Sequence, residues 1–183
     1  MTLSDLETPA LLLDREKMQA NVDRMNAALK RHGVDLRPHV KTAKAREPVE
    51  AMTCGWSGAV TVSTLKEAEQ FFDAGYRDVL YAVGIAPNKL ARAAGLLQRG
   101  ARLTLILDSL EAARAVAEHG RSAGLVFPVM IEVDSDRHRA GVDPDDARKL
   151  VAIGRELAEA GGAELSGVMT HGGGSYNVTG DEA

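Results

Sequence analysis

Three basic side chains occupy every second position in the segment RPHVKTAK, residues 37–44. In an extended strand, alternate side chains point to the same face, so Arg37, His39 and Lys41 are expected to share one face. A lysine amine held among other cations and away from water loses its proton more readily and becomes a nucleophile toward carbonyl carbon. The segment therefore indicates Schiff-base chemistry at Lys41. The alternative is a lysine that simply reaches solvent from the end of a strand.

Two further polar segments follow later strand-like runs. EVDSDRHR, residues 132–139, places three acidic and three basic side chains together, and Gly141 follows two residues later. This pattern fits an arginine directed at an anionic ligand beside a tight glycine turn, or a solvated loop of ion pairs. THGGGSY, residues 170–176, lets the backbone approach a ligand between His171 and Tyr176, or forms a flexible loop.

Short apolar runs typical of buried strands recur along the whole chain. Of seven such runs, the six that follow Ala10–Leu13 are expected to be strands of one parallel sheet. Each of the three polar segments lies at the carboxyl end of one of these six strands. In parallel α/β folds, ligands bind at that end. The runs are Ala10–Leu13, Leu36–Val40, Ala59–Val62, Val79–Val83, Leu103–Leu107, Val126–Val133 and Leu165–Met169.

Helical segments with capping signals separate these runs. A repeated strand and helix predicts a parallel sheet, which is either an open doubly wound sheet or a closed barrel. The spacing alone leaves both architectures open. The helices are expected to start at Asp14, Thr64 with Glu67, Pro87, Asp108 and Asp143-Pro144, and to end near Gly33, Gly75, Gly100 and Gly161.

The bulk composition narrows the possible functions. The chain has 183 residues and a net charge of −4, so electrostatics do not favour binding to nucleic acid or to an anionic membrane. No apolar run approaches the roughly 20 residues of a membrane helix. The N-terminus lacks a signal-peptide pattern, and the single cysteine suits a reducing cytoplasm.

Considered together, the segments RPHVKT, HRAG and GVMTH resemble the fold-type III enzymes that depend on pyridoxal phosphate. The chain is most similar to their D-threonine aldolase/D-serine dehydratase branch, whose motifs it matches in order from about Thr8 to Tyr176. The resemblance implies an α/β fold: the (β/α)8 TIM barrel of alanine-racemase type, incomplete here with about six of eight strands. Residues 1–183 are then the N-terminal part of this barrel, without the C-terminal β domain. The matching stretches are TPALLLD, RPHVKTAK, VTVSTLKEAEQFFDAGYRDVLYAVGIAPNKL, IEVDSDRHRAGV and GVMTHGGGSY.

The resemblance also implies roles for particular residues. Lys41 matches the catalytic lysine that forms the internal aldimine with pyridoxal 5'-phosphate. The second catalytic residue, His171, packs near the pyridine ring, and Arg139 reaches the ring and its phenolic oxygen. His39 supports the lysine, and Ser175 and Tyr176 lie near the cofactor. The chain itself is expected to hold no metal, whereas the missing C-terminal part is expected to bind a divalent Mn, Mg or Zn ion.

The function implied by the resemblance is that of a lyase acting on a small D-amino acid. A D-threonine-aldolase-like cleavage to glycine and an aldehyde is the first prediction. Dehydration of D-serine or D-3-hydroxyaspartate is the alternative, followed by non-catalytic pyridoxal phosphate binding and by a Schiff-base aldolase without a cofactor. The full-length protein is expected to be a cytoplasmic homodimer that binds neither nucleic acid nor membrane.

Overall fold

Six helices and five strands alternate along residues 2–53 and 58–177, the part of the chain that the computed structural model describes. None of these described helices combines the length and the apolar character that a membrane span requires. The helices are α1 (Arg15–His32), α2 (Arg46–Thr53), α3 (Leu65–Asp73), α4 (Leu90–Gln98), α5 (Leu110–Ala123) and α6 (Ala147–Glu159). The strands are β1 (Ala59–Val62), β2 (Asp78–Gly84), β3 (Arg102–Leu107), β4 (Phe127–Val133) and β5 (Ala163–Thr170).

The five strands form one parallel sheet in the order β1-β2-β3-β4-β5. Every strand lies beside its predecessor in the chain, without the reversal of strand order that defines a doubly wound sheet. Sequential order is the order found in a barrel. The prediction of an incomplete alanine-racemase-type barrel is therefore confirmed in its architecture.

The two faces of the sheet have different surroundings. Val60, Val79, Leu103 and Val129 belong to one hydrophobic core together with apolar residues of the helices. The alternate side chains face the opposite side of the sheet, which corresponds to the interior of a barrel. Near the carboxyl ends of the strands this inner face carries the buried Glu132, and the candidate functional residues lie beside it.

One of the six predicted barrel strands, Leu36–Val40, does not form a regular strand. It makes an isolated parallel bridge between His39 and Thr61, in which the amide N of Val40 donates to the carbonyl O of Thr61 at 2.9 Å. Pro38 has no N–H with which to extend the ladder, and the chain turns immediately afterwards, at Lys41. This segment therefore adds an isolated bridge to the five-stranded sheet instead of a sixth strand.

The predicted strand Ala10–Leu13 is also absent from the described structure. Leu11 is 100% exposed, and Leu12 and Leu13 are exposed as well. No described strand lies beside this run, so its backbone has no partner for a ladder. The apolar composition of this run predicted a strand, but a strand also requires a neighbouring strand with which to pair.

Capping side chains explain where most helices begin. Asp14 caps α1, and Thr64 with Glu67 forms the predicted capping box of α3. Two predicted starts are wrong. Ser109, not Asp108, caps α5, because the Asp108 carboxylate accepts a hydrogen bond from the N–H of Gly141 instead.

The other wrong start is that of α6, which begins after Asp146 rather than at Asp143-Pro144. The Asp143 carboxylate accepts from the N–H of Asp145, and its carbonyl accepts from the N–H of Asp146. These bonds make a turn that delays the helix until Ala147. The short helix α2 was not predicted at all.

Helix α5 packs directly against the loop before β5 through two glycines. A Cβ atom added to Gly120 would lie 1.9 Å from the carbonyl O of Gly162, which is far inside van der Waals contact. A Cβ atom on Gly162 would lie 2.2 Å from the carbonyl O of Ala117. Backbone meets backbone here, so neither side can move away by changing a rotamer.

Replacing Gly120 with alanine is therefore expected to destabilise the domain by about 1–3 kcal/mol, the usual cost of overpacking. Gly95→Ala is the matched control, because Gly95 is also helical and has no atom within 4 Å of the added Cβ. That control should be neutral or gain up to about 1 kcal/mol from helix propensity. Urea unfolding of both variants provides the comparison, and equal effects would contradict the packing.

Candidate cofactor site

The segment Arg37–Lys41 alternates in burial as a strand would. Pro38 and Val40 are buried, whereas Arg37 and Lys41 are exposed and His39 is half-buried. The three basic residues therefore lie on the opposite side of the segment from Pro38 and Val40, as the sequence predicted. They do not form one cluster, however.

Arg37 lies at the amino end of the sheet, away from the other two basic residues. Its guanidinium donates to the Asp78 carboxylate at 2.7 Å and to the Asp78 carbonyl at 3.3 Å. Asp78 is the first residue of β2, so this ion pair is at the opposite end from the ligand-binding edge. The basic group at the carboxyl end consists of His39 and Lys41.

The ring of His39 has a defined hydrogen-bonding environment. Its Nδ1 accepts from the amide N of Lys41 at 3.3 Å, and its Nε2 lies 3.3 Å from the Oγ of Ser63. A backbone N–H can only donate, so neutral His39 must carry its proton on Nε2 and donate it to Ser63. Ser63 follows directly after β1, at the carboxyl end of that strand.

The pKa of His39 is lowered from its ordinary value of 6.5. Burial is the main cause, the positive charge of Lys41 adds to it, and His171 acts in the same direction. The negative charge of Glu67 partly opposes these effects. His39 is thus favoured in its neutral form, close to Lys41 and within electrostatic reach of His171.

Lys41 projects from the turn that follows His39. Its side chain is exposed, and within residues 2–53 and 58–177 it makes no ion pair and no side-chain hydrogen bond. The amine is consequently available to an incoming aldehyde or ketone. The sequence predicted an amine held away from water, whereas the structure leaves Lys41 exposed, so the reactivity of this lysine stays a prediction.

Hydrogen bonds hold the loop that carries Arg139 in one shape. The Asp134 carboxylate accepts from the N–H groups of His138 and Arg139, each at 3.1 Å. Gly141 has a φ of 130°, and a Cβ atom there would lie 2.5 Å from the amide N of Asp134. The predicted need for glycine at this turn is confirmed.

Glu132 lies at the end of β4, beside this loop, and only 7% of its surface is exposed. Burial is the largest cause that raises its pKa, and the negative charges of Asp108 and Asp134 raise it further. The positive charge of Arg139 opposes them and lowers this pKa in part. Arg137, by contrast, forms ion pairs with Asp143 and Asp145 at the surface, as the solvated-loop alternative predicted.

The third polar segment begins where β5 ends. His171 is half-buried, and its Nε2 lies 3.3 Å from the hydroxyl of Tyr176. The two rings meet edge to face, with their centroids 6.1 Å apart. This contact with Tyr176 restrains the orientation of the His171 imidazole.

The second and third segments are joined to each other. Ser135 Oγ lies 2.7 Å from Thr170 Oγ1, and the Asp136 carboxylate accepts from the N–H of Gly174. A Cβ atom on Gly173 would lie 3.7 Å from the Cδ of Arg139 and 3.8 Å from the Cδ2 of His171. Arg139 and His171 therefore approach the same glycine.

Comparison with known proteins identifies this arrangement. Residues 13–182 match the family model described as alanine racemase, N-terminal domain. The chain belongs to this family. The prediction of a fold-type III, pyridoxal-phosphate-dependent family is therefore confirmed.

Individual relatives of this alanine racemase N-terminal domain are lyases by name. The chain is 50% identical to the D-threo-3-hydroxyaspartate dehydratase of Delftia sp. (strain HT23), covering 100% of this chain and 48% of that protein. It is 30% identical to the D-serine dehydratase of Dictyostelium discoideum (95% and 47% covered) and 31% identical to the D-threonine aldolase of Arthrobacter sp (92% and 44%). The chain thus spans about half the length of these relatives.

The solved structure of the Delftia dehydratase has the same fold. It superposes with a TM-score of 0.94 at 49% identity, covering 99% of this chain and 48% of that one. The fold of the described sheet is therefore shared with a protein of known structure.

The predicted site residues have different outcomes in this alanine racemase N-terminal domain. Five of them lie at the carboxyl ends of the strands, with the contacts given above: His39, Lys41, Arg139, His171 and Tyr176. The side chain of Ser175 lies outside the described residues. Within the described ranges, no group of histidine, cysteine and acidic side chains is arranged to hold a metal ion.

Two residues that organise this site, Ser63 and Asp136, were not predicted from the sequence. Ser63 directly follows β1, and that position was a usable signal because the other polar segments also follow strands. Asp136, which binds the N–H of Gly174, gave no signal, since its partner is 38 residues away in the chain.

Lowering the pH is expected to protonate His39 and release the backbone of Lys41, because a protonated ring has no acceptor at Nδ1. The pKa of His39 is lower in the folded protein than in the unfolded chain, so just below pH 6.5 the unfolded chain binds more protons. The free energy of unfolding should therefore fall as the pH decreases from about 6.5. Unfolding across this range, with NMR titration of the ring nitrogens, provides the measurement.

His39→Asn is the control for this pH dependence. Its side-chain oxygen keeps an acceptor near the position of Nδ1 but does not titrate, so this part of the pH dependence should disappear. A His39 pKa at or above 6.5 would contradict the assigned environment.

Proposed function

We propose that the protein containing this domain is a pyridoxal-phosphate-dependent dehydratase of D-β-hydroxy amino acids, and that its substrate is of the 3-hydroxyaspartate type. The observation that carries the proposal is the exposed amine of Lys41 beside His39, at the carboxyl ends of the strands of an alanine racemase N-terminal domain. The 50% identity with a D-threo-3-hydroxyaspartate dehydratase supports the choice of reaction.

The residues present fit the functional groups of pyridoxal phosphate. Lys41 has a free amine for the aldehyde carbon, and His171 offers an imidazole face for the pyridine ring. Arg139 supplies a positive charge for the phenolic oxygen. Arg139 and His171 both lie within 4 Å of a Cβ position at Gly173, so their side chains approach the same point of the backbone. When bound, the cofactor supplies an electron sink for negative charge at the substrate Cα atom.

The surrounding residues prepare these groups for proton transfer. His39 orients the Lys41 turn by accepting from its N–H, and its neutral state adds no further positive charge beside the amine. After exchange with the substrate, the Lys41 amine would accept the proton from Cα, as a general base must do before the β-hydroxyl leaves. Tyr176 holds the His171 ring through its hydroxyl.

The aldolase reaction, the first prediction from the sequence, becomes the second candidate. A D-threonine aldolase is 31% identical, so a retro-aldol cleavage uses a related domain. Lys41, Arg139 and His171 would have the same roles in either reaction. The 50% identical dehydratase favours elimination of water over cleavage of the Cα–Cβ bond.

The remaining features of the complete protein are also proposals. A divalent metal bound outside this chain would take the substrate hydroxyl and help it to leave. A D-threo-3-hydroxyaspartate dehydratase has been solved as a variant in the metal-free form, which supports a metal in that relative. We further propose a cytoplasmic homodimer that acts on a small D-amino acid. A non-catalytic carrier of the cofactor and a cofactor-free Schiff-base aldolase remain alternatives for the test.

Product analysis with D-threo-3-hydroxyaspartate distinguishes the two reactions. With pyridoxal phosphate and a divalent metal supplied, the complete protein should release oxaloacetate and ammonia in equal amounts. Lys41→Ala should lower kcat by roughly 10²–10⁴-fold, as expected for loss of an acid–base group. Lys66→Ala, at an exposed position on α3, should have no effect.

Other products would identify the alternatives. Glycine and glyoxylate would support the aldolase. Bound cofactor without turnover of any D-β-hydroxy amino acid would support the carrier, and turnover without cofactor would support the cofactor-free aldolase.

A further inference from the structure

Lys44 closes the turn that carries Lys41. Its amide N donates to the carbonyl O of Val40 at 2.8 Å, so one hydrogen bond spans the residues on both sides of Lys41. Lys44 has a φ of 48°, a left-handed conformation that is uncommon for a residue other than glycine. The turn therefore needs a further interaction to hold it.

That interaction is an ion pair between the Lys44 ammonium and the Glu67 carboxylate. The Glu67 side chain is only 5% exposed, on the first turn of α3. The same carboxylate accepts from the N–H groups of Ser63 at 2.8 Å and Thr64 at 3.2 Å. Burial alone would raise the pKa of Glu67, but these donors outweigh it and the pKa is lowered.

Glu67 is also connected to the residue on the other side of Lys41. It binds the N–H of Ser63, and the hydroxyl of Ser63 lies 3.3 Å from Nε2 of His39. His39 in turn accepts from the N–H of Lys41. One buried carboxylate thus fixes the chain before Lys41 through His39 and after it through Lys44.

We propose that Lys44 and Glu67 are positioning residues that hold the Lys41 turn against α3 and so direct the Lys41 amine into the site. The inference deepens the proposed function, on which it rests for the role of Lys41. Glu67 has a second duty as part of the capping box of α3, but that box does not require Lys44.

The exposure of Lys44 makes the proposal testable apart from stability. Its side chain is 63% exposed, and the N–H groups of Ser63 and Thr64 still bind the buried Glu67 carboxylate when the ammonium is removed. A purely structural role therefore predicts a loss of stability when Lys44 is replaced, with unchanged chemistry at Lys41 in the protein that remains folded. A positioning role predicts slower chemistry at Lys41 in a protein that is still folded.

The experiment compares Lys44→Met with Lys66→Met in the complete protein. Both lysines are exposed, but the structure pairs only Lys44 with Glu67. Stopped-flow absorbance gives the rate at which free pyridoxal phosphate is captured, and reductive methylation with formaldehyde gives the reactivity of the Lys41 amine without cofactor. We expect Lys44→Met to slow capture by roughly 10-fold or more, since small misplacements of a reacting group have effects of this size or larger.

Two further variants, Lys44→Arg and Glu67→Gln, complete the test. Lys44→Arg keeps the ion pair and should restore most of the rate, and Lys66→Met should match the wild type. Should Lys44→Met fail to fold, Glu67→Gln provides the second variant, because it keeps a capping oxygen but loses the charge that holds Lys44. Equal capture and methylation rates in the Lys44 and Lys66 variants would overturn the inference.

Failure of the proposed function gives a different result. If the wild-type protein captures no cofactor, the proposed function is contradicted. The methylation rate at Lys41 still decides whether Lys44 and Glu67 position the amine.

Discussion

Each strand of this domain hydrogen-bonds in parallel with the strand before it, so every connection from strand to helix leaves from the same edge of the sheet. That constraint brings together polar residues separated by more than a hundred positions in the chain. Ser63 follows β1, Glu132 is the penultimate residue of β4 and His171 follows β5. The short bridge between His39 and Thr61 adds Lys41 to the same edge. Without parallel pairing, these side chains would have no common site.

The same edge concentrates groups that are unfavourable for stability. Glu132 is buried beside two other acids, and His39 is half-buried next to a lysine. Their shifted pKa values mean that the fold disfavours the charged form of each group. Arg139 and Glu67 partly compensate through charges of the opposite sign. Such strained electrostatics are common where a site must hold and move protons.

The sequence predicted the features that depend on local chemistry. The run Ala59–Val62 matched β1 at both ends, and the Thr64–Glu67 capping box marked the start of α3, because a strand pattern and a cap are properties of neighbouring residues. The prediction of a strand at Leu36–Val40 was wrong, because a strand needs a ladder of hydrogen bonds to its neighbour and Pro38 has no N–H to donate. Asp108 failed as a cap because the N–H of Gly141, 33 positions away, binds its carboxylate.

For the site, the motifs predicted which residues are reactive but not the contacts that orient them. Lys41, Arg139 and His171 were recognisable from residue type, position after a strand and family resemblance. The ion pair of Lys44 with Glu67 could not be predicted, since each residue had an ordinary explanation, one as a surface lysine and the other as a helix cap. For Arg37, the predicted face is correct but the predicted grouping with Lys41 is wrong. Its guanidinium binds Asp78 at the amino end of the sheet, away from the site.

The central claim is that Lys41 is the residue to which pyridoxal phosphate becomes attached. Reduction of the cofactor-loaded protein with borohydride, followed by peptide mapping with mass spectrometry, tests it most directly. The account predicts one stoichiometric label, on Lys41. A label on Lys44, Lys66 or any other lysine, or no label at all, would contradict it.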